Sequence, residues 1–446
     1  MSERSKQVAQ QCSGLFTEFE SRLDRALSDL PSPGLNAAIL VDDEVVWKYA
    51  IGRARFNPDV DLSTDHVHRI GSITKLFTAT SILILCEEGK IGLDEPISLY
   101  LPEYTPRFPV TIRQILCHGG SIPAEAGLDV WNTGVFPDNA ELLRHLKTCW
   151  SQPVDIPMTH LKYSNAAYAM LGLVVEATSG TSYEDFVTDR ILQPLQMKDT
   201  VFHLTPGLEE RFAHGHIIPS FQRRFGQAPH QELKAFSAAG MLASTTGDLL
   251  RFAQSQWSNT RLVSTETMNE MHRLHNIDRS WNTGWGLGWN LKRQAGKTFS
   301  GHGGGYLGNR NRLDLSREHR FAAAIYANCA SAMGNYELPS EFLARMIEVV
   351  ESKRPRLKAD PPSPEFLAFL GNYGDLWGQI RIGYAHDGLR ILPGELEGGD
   401  PLEHIGQNRF RVTVGRHVNE EIVAMEHGVD GRVVKIFMAG HILNRI

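Results

Sequence analysis

The stretch RIGSITKLFTATSILIL, residues 69–85, limits the fold more than any other part of the chain. Ile70, Ile73, Leu76, Phe77, Ala79, Ile82, Leu83 and Leu85 make a helix that is apolar on nearly all sides. Such a helix has to run through the middle of a large core. One lysine, Lys75, stands inside it, and on a helix it shares a face with Ser72, one turn earlier. Desolvation and nearby positive charge lower an amine's pKa, and the helix N-terminus adds positive potential. A lysine made neutral in this way can take the proton of a serine hydroxyl and turn it into a nucleophile. The structural alternative is a lysine that reaches the surface and a serine that caps the helix. Spacing alone leaves both open.

The surroundings say how such a helix is covered. SPG at 32–34 breaks the chain, and LNAAILVDDEVVWKYAIG then reads as two strands around Asp42 and Asp43. From about residue 90 to 260 the signals are helical: TIRQILCH, NAELLRHLKTC, NAAYAMLGLVVEAT, SYEDFVTDRIL and TGDLLRFAQ. Strand patterns return from about 284, in GWGLGWNLK, KTFSGHGGG, NRLDLS and RFAAAIYAN, and PSEFLARMIEVVESK closes the block as a helix. One antiparallel sheet built from both ends of this block, flanked by helices and an inserted helical region, satisfies the order: an α/β (α+β) fold. The expected domains are a catalytic domain over 1–352, a Pro-rich charged linker, KRPRLKADPPSP, near 353–364, and an antiparallel β domain over 365–446. In the last, GQIRIGYAHDGLRIL and EIVAMEHGVDGRVVKIFMA are each two strands joined at Asp-Gly, which suggests a small barrel.

Two further motifs carry chemistry. Tyr163-Ser164-Asn165, just ahead of a helix, supplies a phenol suited to relaying protons and an amide suited to a substrate carbonyl. Tyr326-Ala327-Asn328 has the same spacing but ends a strand with no helix after it. His302-Gly303-Gly304-Gly305 follows a strand; glycines there let a substrate backbone approach, and a backbone N–H can point at an oxyanion. His118-Gly119-Gly120 repeats the triplet but reads as a helix stop, and His386-Asp387-Gly388 as a hairpin turn.

In order, S-x-x-K, Y-x-N and H-G-G resemble the serine β-lactamase and penicillin-binding-protein family, in its class C-like branch of D-aminopeptidases, carboxypeptidases and family VIII esterases. The likeness runs from about 30 to 350 and includes TIRQILCHGGSIP, SAAGMLASTTGDLLRFA and GWGLGW. It implies Ser72 as acylated nucleophile, Lys75 as its base and Tyr163 as proton relay. Asn165 would be the amide of the second motif, and the N–H groups of Ser72 and Gly305 the oxyanion hole, with Gly303 and Gly304 lining it. His302 stands where β-lactamases usually carry lysine. Histidine is neutral about as often as charged near physiological pH, so penicillin hydrolysis is not the expected main activity. No glutamate motif is assignable as a deacylation base. The C-terminal domain resembles the lipocalin-like additions of D-aminopeptidase-type relatives.

The expected function is a serine hydrolase working through an acyl-enzyme on a small ester, amide or D-amino-acid peptide, without a cofactor. An acyltransferase using the same intermediate, and a non-catalytic scaffold or filament former, are the alternatives. The net charge of −6 and the lack of a long basic run argue against nucleic acid. The longest apolar run is too short to span a bilayer. The N-terminus has no signal-peptide pattern and reads as an amphipathic helix along Leu15, Phe16, Phe19, Leu23 and Leu27, which points to a cytoplasmic home. Five scattered cysteines with no CxxC agree with reduced thiols. The pairs His66/His68 and His214/His216 lack a third ligand, so no metal is expected. A homo-oligomer remains open.

Overall fold

The computed structural model describes residues 1–29, 32–148, 152–217, 226–258, 260–329, 337–352, 364–374, 379–385, 388–392, 400–413, 421–438 and 440–446. The chain divides into two compact units, Met1–Ser352 and Lys353–Ile446.

The N-terminal segment forms two helices where one was expected, α1 (Glu3–Gln11) and α2 (Ser13–Asp29). The chain leaves helical geometry at Cys12, at φ −95 and ψ 5. The stripe still packs as its spacing requires: Phe19 and Leu23 are fully buried, with Leu15, Phe16 and Leu27 against the same cluster.

The central sheet of the first unit has nine strands: β1 (Gly34–Val41), β2 (Glu44–Phe56), β3 (Asp59–Asp61), β4 (Asn276–Ile277), β5 (Gly284–Trp285), β6 (Asn290–Gln294), β7 (Lys297–Tyr306), β8 (Asn309–Ser316) and β9 (Phe321–Ala327). Their spatial order is β3-β2-β1-β9-β8-β7-β6-β5-β4, all pairs antiparallel. The two ends of the block thus meet where β1 pairs with β9, Ala38 opposite Ala324. Side chains alternate between the faces of a strand, and both faces of β1 are covered. Ala37, Ile39 and Val41 join Phe19 of α2 and Phe342 of helix Leu338–Ser352, while Ala38 and Leu40 join the larger core of the helical region.

The apolar stretch becomes a 3-10 turn, Gly71–Ile73, running into α3 (Thr74–Glu87), buried from Thr74 through Leu85. It packs against α4 (Asn165–Ser179), which Ser164 caps by accepting from Ala167 N and which ends at Gly180 in the left-handed region, φ +76.

The second unit is a closed barrel of eight antiparallel strands between Gly371 and Arg445, sealed where Tyr373 pairs with Arg445. Phe369, Ile382, Ile391, Phe410, Val423 and Ile436 are among the residues that fill its interior. The second expected hairpin turns at Asp430-Gly431. The turn residues His386 and Asp387, Cys149, and the linker up to residue 363 lie outside the described residues; Pro364 already opens a short helix. Cys12, Cys86, Cys117 and Cys329 form no disulfide with one another. Among the described residues no helix is long and apolar enough to cross a membrane, and no group of three or more His, Cys, Asp or Glu side chains is arranged to hold a metal ion.

Candidate active site

Ser72 lies half-buried in the 3-10 turn, and tertiary hydrogen bonds fix the segment around it. Arg69 Nη1 donates to the carbonyls of Phe202 (2.7 Å) and Met241 (2.5 Å), Ile70 N donates to Leu242 O (3.0 Å), and Asn311 Nδ2 donates to Arg69 O (3.0 Å). The turn rests directly on β7. Gly71 has φ +54, and a Cβ there would stand 2.7 Å from the carbonyl carbon and 2.8 Å from the nitrogen of Gly305. A Cβ on Gly304 would run into the Ile70 carbonyl oxygen. Backbone meets backbone here, and only glycine permits it.

Lys75 is fully buried. Its Nζ lies 3.1 Å from Ser72 Oγ, 2.8 Å from Asn165 Oδ1 and 2.7 Å from the carbonyl oxygen of Ala239. Burial lowers the amine's pKa to about 7, against a smaller upward pull from Glu125. A neutral amine has two hydrogens and one lone pair. Asn165 Oδ1 and Ala239 O accept the two hydrogens, so the lone pair is left for the Ser72 hydroxyl.

Tyr163 precedes the α4 cap. Its ring centroid is 5.0 Å from Lys75 Nζ and 6.3 Å from the His302 ring. Asn165, the first residue of α4, is committed on both sides: its Oδ1 faces Lys75, and its Nδ2 donates to Glu125 Oε1 at 2.6 Å. The Glu125 loop is tied to the same helix start, because Asn165 N and Ala166 N both donate to Ala124 O.

His302 is held in its neutral form. Burial, then the Lys75 charge, bring its pKa down to about 3, so the ring is neutral at physiological pH. Its Nδ1 donates to the Gly303 carbonyl at 2.6 Å, which leaves Nε2 as an acceptor; among the described residues Nε2 has no hydrogen-bond partner. All eight residues singled out from the sequence therefore meet around the 3-10 turn.

The same place contains groups that sequence reasoning missed. Glu125 is half-buried, and burial raises its pKa; its Oε2 makes no hydrogen bond among the described residues, although Trp131 beside it favours the charged form. His118 is buried beneath Tyr163, with ring centroids 4.3 Å apart. Trp285 of β5 meets His302 at 5.4 Å and 71°. Ala239 supplies only a carbonyl. His118, Ala239 and Trp285 lie within the family-like stretches TIRQILCHGGSIP, SAAGMLASTTGDLLRFA and GWGLGW, whereas nothing local in the sequence marks Glu125.

Comparison with known proteins bears on the family and the fold. The beta-lactamase family profile matches residues 23–344, more than half of the chain. Penicillin-binding protein 4 of Amycolatopsis lactamdurans is 27% identical over 365 residues, covering 78% of this chain and 93% of that protein. The octameric penicillin-binding protein homologue from Pyrococcus abyssi has a TM-score of 0.66 at 21% identity, over 96% of this chain and 99% of its own. The D-amino acid amidase from Ochrobactrum anthropi SV3, complexed with D-phenylalanine, has a TM-score of 0.63 at 24% identity, over 75% and 98%. The structural likenesses speak to fold; the profile match across most of the first unit decides the family. The chain belongs to the serine β-lactamase and penicillin-binding-protein family of hydrolases.

Proposed function

We propose that this protein is a serine hydrolase that works through an acyl-enzyme on a small amide, ester or D-amino-acid peptide whose acyl part carries a free amine. The observation that carries the reading is the buried amine of Lys75, with two acceptors for its hydrogens and its lone pair left for Ser72 Oγ. In acylation, the Ser72 proton passes to Lys75 Nζ while Oγ attacks the substrate carbonyl carbon. The N–H groups of Ser72 and Gly305 take up the oxyanion. The proton then returns through the Tyr163 hydroxyl to the departing nitrogen or oxygen as its bond to the acyl carbon breaks. Water repeats the sequence in reverse roles and frees the acid and Ser72.

Two features support the substrate class. His302 is neutral, so no permanent cation waits at that position for a carboxylate like that of a penicillin. Among the described residues Glu125 Oε2, with Trp131 beside it, makes no hydrogen bond, and the carboxyl stands one residue beyond Lys75, through Asn165, where a substrate ammonium would pair with it. The D-amino acid amidase likeness supports the D configuration, and the octameric homologue supports looking for assembly by light scattering.

The test is turnover of D-phenylalanine amide, L-phenylalanine amide, N-acetyl-D-phenylalanine amide and a p-nitrophenyl ester by wild type and Ser72→Ala. The expected result is hydrolysis of the free-amine D substrate and the ester, at least about tenfold weaker action on the acetylated one, and none by Ser72→Ala. Wild-type turnover by Ser72→Ala would overturn the nucleophile assignment. Preference for the acetylated amide would overturn the amine.

A further inference from the structure

His118 follows the helix Ile112–Leu116, and a helix stop accounts for its left-handed backbone, φ +56. It does not account for the residue type. Glycine and asparagine adopt that conformation at lower cost. An imidazole there is wholly buried, and its Nε2 finds no hydrogen-bond partner among the described residues. The neighbours explain the choice better. The His118 carbonyl accepts from Lys162 N at 2.8 Å, and its Nδ1 accepts from Ser164 N at 3.4 Å. The residue between those two donors is Tyr163. The imidazole also lies against the phenol, at 4.3 Å and 33°, and is held by Tyr168 (5.1 Å) and by Trp285 edge to face (4.5 Å, 89°). Trp285 in turn meets His302. One residue therefore holds the chain on both sides of the tyrosine, by its backbone carbonyl before it and its ring nitrogen after it, and its ring backs the phenol.

We propose that His118 is a positioning residue for Tyr163: it fixes the approach of the phenol to Lys75 and Ser72 and touches neither substrate nor reacting atoms. The inference rests on the functional reading above, in which Tyr163 relays the proton. A small misplacement of a relay lowers the rate of the chemical step and leaves binding nearly untouched. Burial holds the imidazole neutral, so Nδ1 stays an acceptor across the working pH range, with the proton on Nε2.

The test is a double-mutant cycle on the full chain, with D-phenylalanine amide and a p-nitrophenyl ester. His118→Asn keeps a side chain that tolerates φ +56 and loses the ring; it is expected to lower kcat on the order of 10-fold with KM within about 2-fold. In a Tyr163→Phe background the same substitution is expected to change kcat by less than about 2-fold, because its effect passes through the phenol. Equal losses in the two backgrounds, or wild-type kcat in a folded His118→Asn, would overturn the positioning role. Wild-type turnover by Tyr163→Phe alone would instead overturn the proton relay. A second readout needs no variant: nitrogen-15 NMR of the wild-type histidines should find His118 as the Nε2–H tautomer, and the Nδ1–H tautomer would refute the grip on Ser164.

Discussion

Gly71→Ala isolates the contact between turn and strand on which the site is built. At φ +54 an alanine costs about 1–2 kcal/mol in backbone strain alone. The new Cβ would stand 2.7 and 2.8 Å from two backbone atoms of Gly305, where ordinary contact begins at 3.4 Å. Neither partner is a flexible side chain, so β7 has to withdraw from the turn by something like half an ångström to an ångström, at a further cost of about 1–3 kcal/mol. The expected loss of stability is therefore about 2–5 kcal/mol, read as a lowered denaturation midpoint in urea. The same movement pulls the Gly305 N–H away from the Ser72 N–H. Losing one oxyanion donor costs roughly 10²–10³ in kcat, so the variant should lose at least about 10²-fold on a p-nitrophenyl ester at temperatures where it is still folded. Gly207→Ala, whose Cβ would meet nothing within 4 Å, is the control and should behave as wild type. A Gly71→Ala protein with kcat within about 3-fold of wild type would refute the idea that the two N–H groups act as a pair.

Further predictions follow from the charges. The active form holds Lys75 neutral, so kcat/KM should rise with pH, about tenfold per unit below the amine's pKa of about 7, and level off above it. His302, down to about 3, should add no limb between pH 4 and 9; a profile that falls from pH 6 to 8 would contradict both assignments. Glu125 pulls the Lys75 pKa upward, so Glu125→Gln should move the acid limb to lower pH. It should also raise KM for a free-amine substrate on the order of 10–10²-fold while leaving an acetylated one nearly unchanged; equal changes for both substrates would remove the ammonium partner.

The parts of the site that could be read from the sequence are those set by short spacing. Ser72 and Lys75 are three residues apart on one helix, and His302 through Gly305 are consecutive, so local geometry alone brings each group together. The apolar run of β1 and the return to strand patterns after residue 284 made the sheet legible, because a strand covered on both faces reads as a short, nearly unbroken apolar run. What stayed hidden comes from tertiary approach. Ala239 reaches Lys75 across 164 residues, and a carbonyl has no sequence signature. Glu125 lies in a loop whose course is set by hydrogen bonds to the start of α4. The charge of His302 depends on burial that its strand pattern could not disclose, and the break at Cys12 lies inside an apolar stripe that continues across it.

The central claim is that Ser72 is a nucleophile because a neutral Lys75 takes its proton. Labelling with a fluorophosphonate as a function of pH, with the adduct located by peptide mass mapping, tests it most directly. The account predicts a single adduct on Ser72, formed at a rate that climbs through about pH 7 and is lost in Lys75→Met. An adduct on another residue, or labelling of Ser72 that persists at the wild-type rate in Lys75→Met, would contradict it.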